Sequence, residues 1–302
     1  MDIKRGACKP LSHVIETINL CYTYPDGSKA LENVNFAAGK GEKIAILGPN
    51  GAGKSTLLHH FNGLLMPTSG KVKVLGQEIS RVNLDFVRQK VGLVFQNPDD
   101  QLFAPTVVQD IAFGPRNLRL SANEIEERVK WAIEVMELQG LEHKSPHKLS
   151  QGQKKRVAIA GVLAMKPEII ALDEPTANLD PKTVNKILDL LLKLNRELGL
   201  TIIIATHDVD FVPLCTDKAY ILNRGKVAAE GPLREVFSNT ETLRNVDLRL
   251  PRITHLFEIL KVKDNLPVGD MLPLTIGEAR KEIHRLLGKQ NLHNNVLMPS
   301  KA

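Results

Sequence analysis

Residues 48–55 form a glycine-rich loop that reads Gly48-Pro49-Asn50-Gly51-Ala52-Gly53-Lys54-Ser55. The apolar residues 43–47 lead straight into this loop and predict a strand, and a helix is predicted to begin near Lys54. Strand, loop and helix in this order are the context that a phosphate-binding loop requires. The stretch therefore predicts a nucleotide site in a fold that alternates strands and helices.

The chemistry expected of this loop follows from its backbone and its last residues. Glycines let backbone N–H groups approach phosphate oxygens, and the positive N-terminal end of the following helix points at the negative charge. We expect Lys54 to neutralise the β- and γ-phosphates of the nucleotide and Ser55 to bind Mg²⁺ through its hydroxyl. Thr56 is a further expected phosphate contact.

A second motif is the acidic end of an apolar strand, Ile169-Ile170-Ala171-Leu172-Asp173-Glu174. Asp173 ends the strand, so it is expected at the carboxyl edge of the sheet beside the phosphate loop, where it can hold Mg²⁺ through water. Glu174 points elsewhere and suits a carboxylate that orients or deprotonates the attacking water. Four apolar residues before the pair disfavour a surface acidic turn.

A third motif, Leu149-Ser150-Gln151-Gly152-Gln153, lies between the phosphate loop and the acidic strand. Ser150 and Gln153 form a capping-box pattern, S-x-x-Q, that predicts the start of a helix ended by Pro167. On its own such a pattern is most often a helix cap. Because it lies directly before the acidic strand, it is also interpreted together with the other two motifs.

Together the three motifs resemble those of the ATP-binding cassette (ABC) family, over residues 13–237. The resemblance implies an α/β fold of the P-loop NTPase type, with a mostly parallel core sheet, an antiparallel β subdomain, a helical subdomain at about residues 97–166 and a small C-terminal domain. It also implies ATP hydrolysis with Mg²⁺. We expect residues 1–240 to form the nucleotide-binding domain and residues 241–302 a small α/β or helical extension that helps two ATPases to pair.

The resemblance also implies that two copies pair head to tail. Ser150 and Gly152 of one copy would then meet the γ-phosphate held by Lys54 of the other, so that ATP lies between the subunits. Gln151 departs from the family, which has glycine at this position, and the departure bears on how closely the loop backbone approaches phosphate. Because Ser150 and Gly152 are kept, we expect activity to survive.

Four further positions match the family residue by residue. Tyr24 resembles the aromatic residue that stacks on adenine, and Gln96 resembles the glutamine that touches Mg²⁺ and water. Asp180 resembles the acidic end of a loop that crosses the dimer interface. His207 resembles the switch histidine that contacts the γ-phosphate and helps to hold the attacking water. Tyr22 lies two residues from Tyr24, so either tyrosine can instead be a strand or turn aromatic.

Two segments narrow the resemblance to the cobalt and energy-coupling-factor importers: Phe95-Gln96-Asn97-Pro98-Asp99-Asp100-Gln101-Leu102-Phe103 and Asp110-Ile111-Ala112-Phe113-Gly114-Pro115. In that group the ATPase works with a second copy or a related chain, a transmembrane scaffold subunit and a small substrate-binding membrane subunit. The resemblance therefore implies a peripheral position on the cytoplasmic face of the cell membrane. Asp99 and Asp100 either accept arginine side chains of the scaffold or form a solvated acidic turn. The substrate stays open among cobalt, another transition metal ion such as nickel, and a vitamin.

Composition excludes other classes of protein. Of the 302 residues, 43% are hydrophobic and 25% charged, as is usual for a globular chain. Apolar runs such as 202–205 are far shorter than the roughly 20 residues that span a bilayer. The formal charge of +6 is spread along the chain, whereas nucleic-acid binding needs clustered charge, so no nucleic-acid partner is expected. A start without a signal-like apolar stretch, and three scattered cysteines, Cys8, Cys21 and Cys215, favour the cytoplasm.

Two rival functions come from other classes. A soluble ABC ATPase acting in DNA repair or on the ribosome is the main alternative, but the chain between Lys54 and Ser150 leaves no room for a long coiled coil. A P-loop kinase is the other, and it gives no account of residues 149–153. The sequence therefore favours an ATP-hydrolysing, energy-coupling subunit of an importer.

Overall fold

The computed structural model describes residues 13–288 of the chain, so Cys8 and the start of the chain lie outside it. The strands are β1 (Ile15–Thr23), β2 (Lys29–Ala38), β3 (Lys43–Leu47), β4 (Ser69–Val74), β5 (Gln77–Glu78), β6 (Val91–Val94), β7 (Ile169–Asp173), β8 (Thr201–Thr206), β9 (Lys218–Asn223) and β10 (Lys226–Pro232). The helices are α1 (Lys54–Phe61), α2 (Leu84–Lys90), α3 (Val107–Asn117), α4 (Ala122–Val135), α5 (Gln151–Leu163), α6 (Pro181–Leu198), α7 (Val212–Cys215), α8 (Leu233–Ser238), α9 (Thr240–Asn245), α10 (Arg252–Val262) and α11 (Ile276–Leu286).

Within residues 13–288, a six-stranded core sheet has the order β10-β9-β3-β8-β7-β6. Strands β9, β3, β8, β7 and β6 run parallel, and β10 adds an antiparallel edge through a hairpin at residues 223–226. Every residue of β7 and β8 is buried, which is typical of parallel strands covered on both faces. The predicted α/β fold with a mostly parallel sheet is confirmed.

A smaller antiparallel sheet, ordered β2-β1-β4-β5 among the described residues, packs beside the core sheet. Leu20 and Val34 of this sheet belong to the same buried cluster as Ile44 and Ile46 of β3 and Phe61 of α1. Helix α1 therefore lies between the two sheets. The small sheet is the predicted antiparallel β subdomain.

Helices α3, α4 and α5 pack against one another beside the edge strand β6 and form a helical layer. The predicted capping box at the start of α5 is confirmed: the Ser150 hydroxyl accepts from Gln153 N, and the Gln153 side chain reaches back to the cap. A second capping box begins α4, where the Ser121 hydroxyl accepts from Glu124 N and the Glu124 side chain reaches back. Because these interactions satisfy free N–H groups at the helix ends, they fix where α4 and α5 begin.

Residues 246–288 follow α9 and belong to the predicted C-terminal domain, residues 241–302. They are called the extension below. They contain the helices α10 and α11 and no strand. Leu248, Leu250 and Leu274 pack in one buried cluster with Leu47 and Val209 of the cassette side. Helices α10 and α11 share a smaller core, lined by Phe257, Val268 and Ala279. The apolar core of the nucleotide domain therefore continues into the extension. No helix within residues 13–288 has the length and apolar composition that crossing a membrane requires.

The hydroxyl of Tyr220 joins the two sheets, which leads to a test of the fold. Tyr220 is buried in β9, and its oxygen accepts from Ala37 N (3.1 Å) and donates to Ala37 O (3.1 Å) of β2. We expect Tyr220→Phe to lower the free energy of unfolding by about 1–3 kcal/mol, because it removes the hydroxyl that bonds to the partly buried N–H and C=O of Ala37. Urea unfolding followed by circular dichroism measures the loss.

Tyr24→Phe is the matched control for this substitution, since it deletes the same hydroxyl from an exposed ring whose oxygen contacts the Thr56 side chain and not a backbone group of the other sheet. We expect the control to change the free energy of unfolding by less than about 0.5 kcal/mol. Equal losses in the two variants would show that the Tyr220 hydroxyl does not hold the sheets together.

Candidate functional site

The strand register of the core sheet brings three predicted motifs to one edge. Leu47 at the end of β3 pairs with Thr206 at the end of β8, and Asp173 at the end of β7 pairs with Ala205. Because these strands are parallel, the residues that follow them share the carboxyl edge, where ligands of open α/β sheets bind. The phosphate loop, Glu174 and His207 are therefore neighbours.

The predicted phosphate loop, residues 48–53, lies between β3 and α1. Gly53 has φ of 101°, a left-handed conformation that favours glycine, and α1 begins directly after it at Lys54. The Lys54 ammonium is buried and donates to Gly48 O (2.8 Å) and Pro49 O (3.1 Å). Burial lowers the pKa of Lys54, and the charges of Glu174 and Asp173 oppose this shift. The loop thus holds a buried cation whose bonds a phosphate oxygen can replace.

Glu174 is buried, and its backbone has φ of 42°, an uncommon left-handed conformation for a side chain of this size. Its Oε2 accepts from the Thr206 hydroxyl (2.8 Å), and its Oε1 accepts from His207 N (3.0 Å). The His207 ring lies against the same oxygen, with Nδ1 at 2.7 Å. The Lys54 ammonium is 3.9 Å from Oε1. These contacts fix the carboxylate at the mouth of the phosphate loop.

Thr206 is the contact of Glu174 that the sequence analysis missed. It is fully buried at the last position of β8, directly before His207. Its signal is a hydroxyl at the carboxyl end of an otherwise apolar strand, the same position that Asp173 takes in β7. A polar residue at such a point has to find a partner nearby.

The residues predicted to hold Mg²⁺ fit a hard divalent cation. Asp173 is buried and hydrogen-bonded to Ser55, and burial raises the pKa of Asp173 while this bond opposes the shift. Its Oδ1 has no hydrogen-bond partner among the described residues. A carboxylate oxygen that lacks a donor, beside a serine hydroxyl, is the kind of oxygen pair that Mg²⁺ accepts. Gln96 follows β6, next to β7, and is exposed.

The structure separates the roles of the two tyrosines. The Tyr24 hydroxyl lies 2.9 Å from the Thr56 hydroxyl on α1, and the ring of Tyr24 is exposed beside the phosphate loop. Tyr22 instead packs edge-on against Tyr24 and against His60, with ring centroids 4.9 and 4.8 Å apart. Tyr24 is therefore the more exposed of the two rings.

The third motif presents an exposed helix start. Leu149 is buried, whereas Ser150 and Gln151 are exposed at the beginning of α5. A Cβ atom at Gly152 would lie 2.7 Å from Thr183 Cγ2, so any other residue there would force the Thr183 side chain to shift. The Gln151 side chain reaches Asp99 instead. Position 151 therefore accommodates a side chain, while position 152 does not.

Comparisons with known proteins agree with this arrangement. A family model described as ABC transporter matches residues 31–177. The energy-coupling factor transporter ATP-binding protein EcfA of Methanococcus maripaludis is 56% identical over 276 residues, which cover 91% of this chain and 98% of that protein. The chain belongs to the ATP-binding cassette family. It is therefore an ATP-binding ATPase of the transporter type, and its sequence groups it with the energy-coupling-factor cassettes.

Two solved cassettes support the same assignment. The structure of cbiO1 from Clostridium perfringens, described as part of the ABC transporter complex cbiONQ, superposes with a TM-score of 0.70 at 48% identity and covers 82% of this chain and all of that one. A dimeric cassette in a post-hydrolysis state, bound to ADP and phosphate, gives 0.66 at 35% identity over 73% of this chain and 99% of that one. The predicted fold and ATPase class are confirmed.

Two lysines at the start of α5 bond to residues 95–99, which follow β6 and are called the Gln96 loop below. These bonds connect the helical layer to the Gln96 loop. The buried Lys155 ammonium donates to Phe95 O (3.1 Å) and Gln96 O (2.6 Å), and Lys154 pairs with Asp99 at 2.7 Å. Burial lowers the pKa of Lys155 to about 8, against the opposing charges of Asp173 and Glu174. Asp99, expected either to accept a partner's arginine or to lie in a solvated acidic turn, is paired with Lys154 within the chain.

Sequence reasoning missed Lys155, although a signal was present. Lys155, Ile159 and Val162 recur at helical spacing, so the lysine lies on the buried stripe of α5.

Asp180 caps α6, where its carboxylate accepts from Thr183 N (3.0 Å) and from the Thr183 hydroxyl (2.6 Å). The contacts of Ser150 and Asp180 are thus to their own helices, and both residues are exposed.

The hydroxyl of Thr206 provides a test of how Glu174 is positioned. We expect Thr206→Val to lower kcat for ATP hydrolysis about tenfold to a hundredfold, because a buried carboxylate loses a hydrogen bond of the charged kind. KM for ATP should stay within about twofold, since the phosphate loop is untouched. Steady-state kinetics measures both constants.

Thr206→Ser is the matched control, because serine keeps the hydroxyl and deletes only a methyl group. We expect it to retain most of the wild-type kcat. If the serine variant were as slow as the valine variant, packing of the methyl group rather than the bond to Glu174 would be responsible.

Proposed function

We propose that this chain is the ATP-hydrolysing, energy-coupling subunit of an ABC importer, and that Glu174 activates the water that attacks ATP. One observation carries the proposal: Glu174 is buried at the sheet edge, bonded to Thr206 and His207 and 3.9 Å from the Lys54 ammonium. A carboxylate beside a phosphate-binding lysine is placed to accept a proton from water at the γ-phosphate.

The residues of the site divide the work of hydrolysis. Tyr24 stacks on adenine, and Lys54 exchanges its bonds to Gly48 O and Pro49 O for phosphate oxygens. Glu174 takes the proton of water, while His207, free to move at an exposed position, holds the carboxylate and contacts the γ-phosphate. Ser55 and Asp173, together with Gln96, would hold Mg²⁺, which would neutralise negative charge on the phosphates.

The active unit in this proposal is a head-to-tail pair of cassettes. Ser150 is exposed at the N-terminal end of α5, where the helix dipole favours a negative phosphate. Asp180 is exposed at the start of α6 and lies in the loop that crosses to the partner. ATP held by Lys54 of one copy thus meets Ser150 and Gly152 of the other copy, or of a related chain.

The extension is proposed to strengthen this pairing. It carries apolar side chains that are exposed in the single chain: Leu256, Val262, Leu266, Met271, Ile276, Ile283 and Leu287. Apolar surface of this extent on so small a unit is costly to leave in water. Burying it against the extension of the second cassette would remove the cost.

The membrane partner is proposed to dock in a groove between the core sheet and the helical layer. This groove, about 1030 Å³ in volume, is lined by Arg88, Gln101, Phe103, Phe113 and Met165 among others. Phe103 and Phe113 are exposed and meet edge-on at 4.7 Å. The groove joins the Gln96 loop to α3, so a scaffold helix seated in it would move with the nucleotide site. Asp100 stays available for an arginine of that helix.

The remaining parts of the complex follow from the relatives. EcfA is named for energy-coupling factor transport, and cbiO1 is part of cbiONQ. We place this chain on the cytoplasmic face of the cell membrane, with a transmembrane scaffold and a small substrate-binding membrane subunit, and without a nucleic-acid partner. The substrate is cobalt, another transition metal ion or a vitamin. The alternative of a soluble cassette acting in DNA repair or on the ribosome gains no support from these relatives.

The dimer scheme predicts the behaviour of Glu174→Gln. This variant should bind ATP but hydrolyse it at least about a hundredfold more slowly, because glutamine cannot accept the proton. With ATP and Mg²⁺ it should accumulate as a dimer of twice the chain mass. Size-exclusion chromatography with light scattering measures this state. Lys54→Ala, which removes the phosphate contact, should stay monomeric under the same conditions, and a monomeric Glu174→Gln variant with ATP bound would contradict the scheme.

The importer assignment is tested by purifying the chain from its own membranes in mild detergent and identifying its partners by mass spectrometry. We expect a multi-spanning scaffold and a small membrane subunit, and the small subunit would nominate the substrate. Substituting Phe103→Asp and Phe113→Asp in the groove should abolish this recovery without loss of ATP binding. Recovery of soluble ribosomal or DNA-bound partners alone would contradict the assignment.

A further inference from the structure

We propose that Asp210 is a positioning residue for ATP hydrolysis, through which the extension holds the switch segment, residues 206–211. The switch segment follows β8 and contains Thr206 and His207, the two residues that bond to Glu174. The inference rests on the proposed role of Glu174 as the group that activates water. It adds a physical connection between that group and the extension.

A continuous series of hydrogen bonds runs from Glu174 along the switch segment. The Thr206 hydroxyl donates to Glu174 and accepts from Asp208 N (3.1 Å). The Asp208 carboxylate in turn accepts from Asp210 N (3.1 Å) and Phe211 N (3.4 Å). The segment is thus folded on itself by its own side chains, so a displacement at Asp210 is carried to Thr206.

Both oxygens of Asp210 are bonded to the extension. Oδ2 accepts from the Arg249 guanidinium (2.7 Å), and Oδ1 accepts from Arg252 N (2.7 Å) at the first position of α10. Pro251, which occupies the N-cap position of α10, has no side-chain acceptor to offer. Asp210 therefore caps α10 from another part of the chain, with the added attraction of a guanidinium.

Apolar packing joins the same two parts independently. Val209 and Val212, on either side of Asp210, are fully buried in the cluster that contains Leu248, Leu250 and Leu274 of the extension. Close-packed side chains transmit a shift because they leave no space to absorb it. The switch segment is thus held on its polar and its apolar side by the extension.

The consequence is that the position of the extension sets how well Glu174 is held. If α10 moves when a second subunit or a membrane partner binds, the Asp210 carboxylate moves with it. Thr206 and His207 then change their bonds to Glu174. The Asp210 carboxylate bonds to Arg249 and Arg252 and to no residue of the phosphate loop, so the hydrolytic rate should respond while ATP affinity does not.

The test compares variants of the full-length chain by steady-state ATPase kinetics. We expect Asp210→Ala and Arg249→Gln each to lower kcat by about tenfold, within the range found for couplings between distant sites, with KM for ATP unchanged within about twofold. Arg249→Lys should recover most of the rate, because its ammonium can still pair with the carboxylate. The double variant that combines Asp210→Ala with Arg249→Gln should have a kcat no lower than that of Asp210→Ala alone.

Arg234→Gln is the matched control. Arg234 on α8 pairs with Glu278 on α11 at 2.7 Å, so it also joins the cassette to the extension, but it does not touch the switch segment. We expect its kcat to stay within about twofold of wild type. Hydrogen exchange provides a readout besides activity: amides 206–211 should exchange faster in Asp210→Ala than in wild type and Arg234→Gln.

Three results would overturn the proposal: an unchanged or raised kcat in Asp210→Ala, an equal loss in Arg234→Gln, or unchanged exchange at residues 206–211. Glu174→Gln in the same assay separates this proposal from the proposed function. If Glu174→Gln hydrolyses ATP normally, the assigned role of Glu174 fails. If Glu174→Gln is inactive and Asp210→Ala is fully active, only the role of Asp210 fails.

Discussion

Four buried charges at one sheet edge constrain the rest of this structure. Lys54 and Lys155 are buried cations, Asp173 and Glu174 are buried anions, and each lysine feels the field of both carboxylates. An isolated buried charge is costly, so the set is tolerable only while its members stay together. The parallel register of β3, β8 and β7 brings Lys54, Asp173 and Glu174 to this edge, and the bonds of Lys155 to Phe95 O and Gln96 O hold the fourth charge there. Binding of a nucleotide and a divalent cation changes this charge balance. The loops that bond to these charged side chains are therefore affected directly by ligand binding.

Ligand binding affects two loops, because Lys54 and Lys155 each bond to a different loop. Lys54 bonds to carbonyls of the phosphate loop, whereas Lys155 bonds to Phe95 O and Gln96 O. Lys155 belongs to α5, the helix that begins at Ser150. A change at the Gln96 loop is therefore passed to the start of α5, which faces the second cassette in the proposed pair. Exposed ion pairs such as Arg234 with Glu278 contribute little by comparison, because water screens them.

The features that were predictable from sequence are those set by neighbours within a few residues: the phosphate loop, the acidic end of β7 and the cap at Ser150. The wider fold was predicted from the resemblance to ATP-binding cassettes. The bonds of Thr206 and Lys155 depend on partners 32 and 59 residues away along the chain. Such pairs are set by tertiary packing, which no local pattern contains. The pairing of Asp99 with Lys154 was missed for the same reason, although both residues stand out as charged.

The unusual signature loop is explained by what each of its positions touches. Gly152 faces Thr183 so closely that a Cβ atom would clash, and this requirement comes from the chain itself rather than from a ligand. Gln151 points away from that contact and bonds to Asp99, which Lys154 also holds. The glutamine thus adds a tie between the helix start and the Gln96 loop. In the proposed pair, a loop tethered in this way would lose less conformational freedom on meeting a phosphate, which would offset the close backbone approach that a second glycine allows.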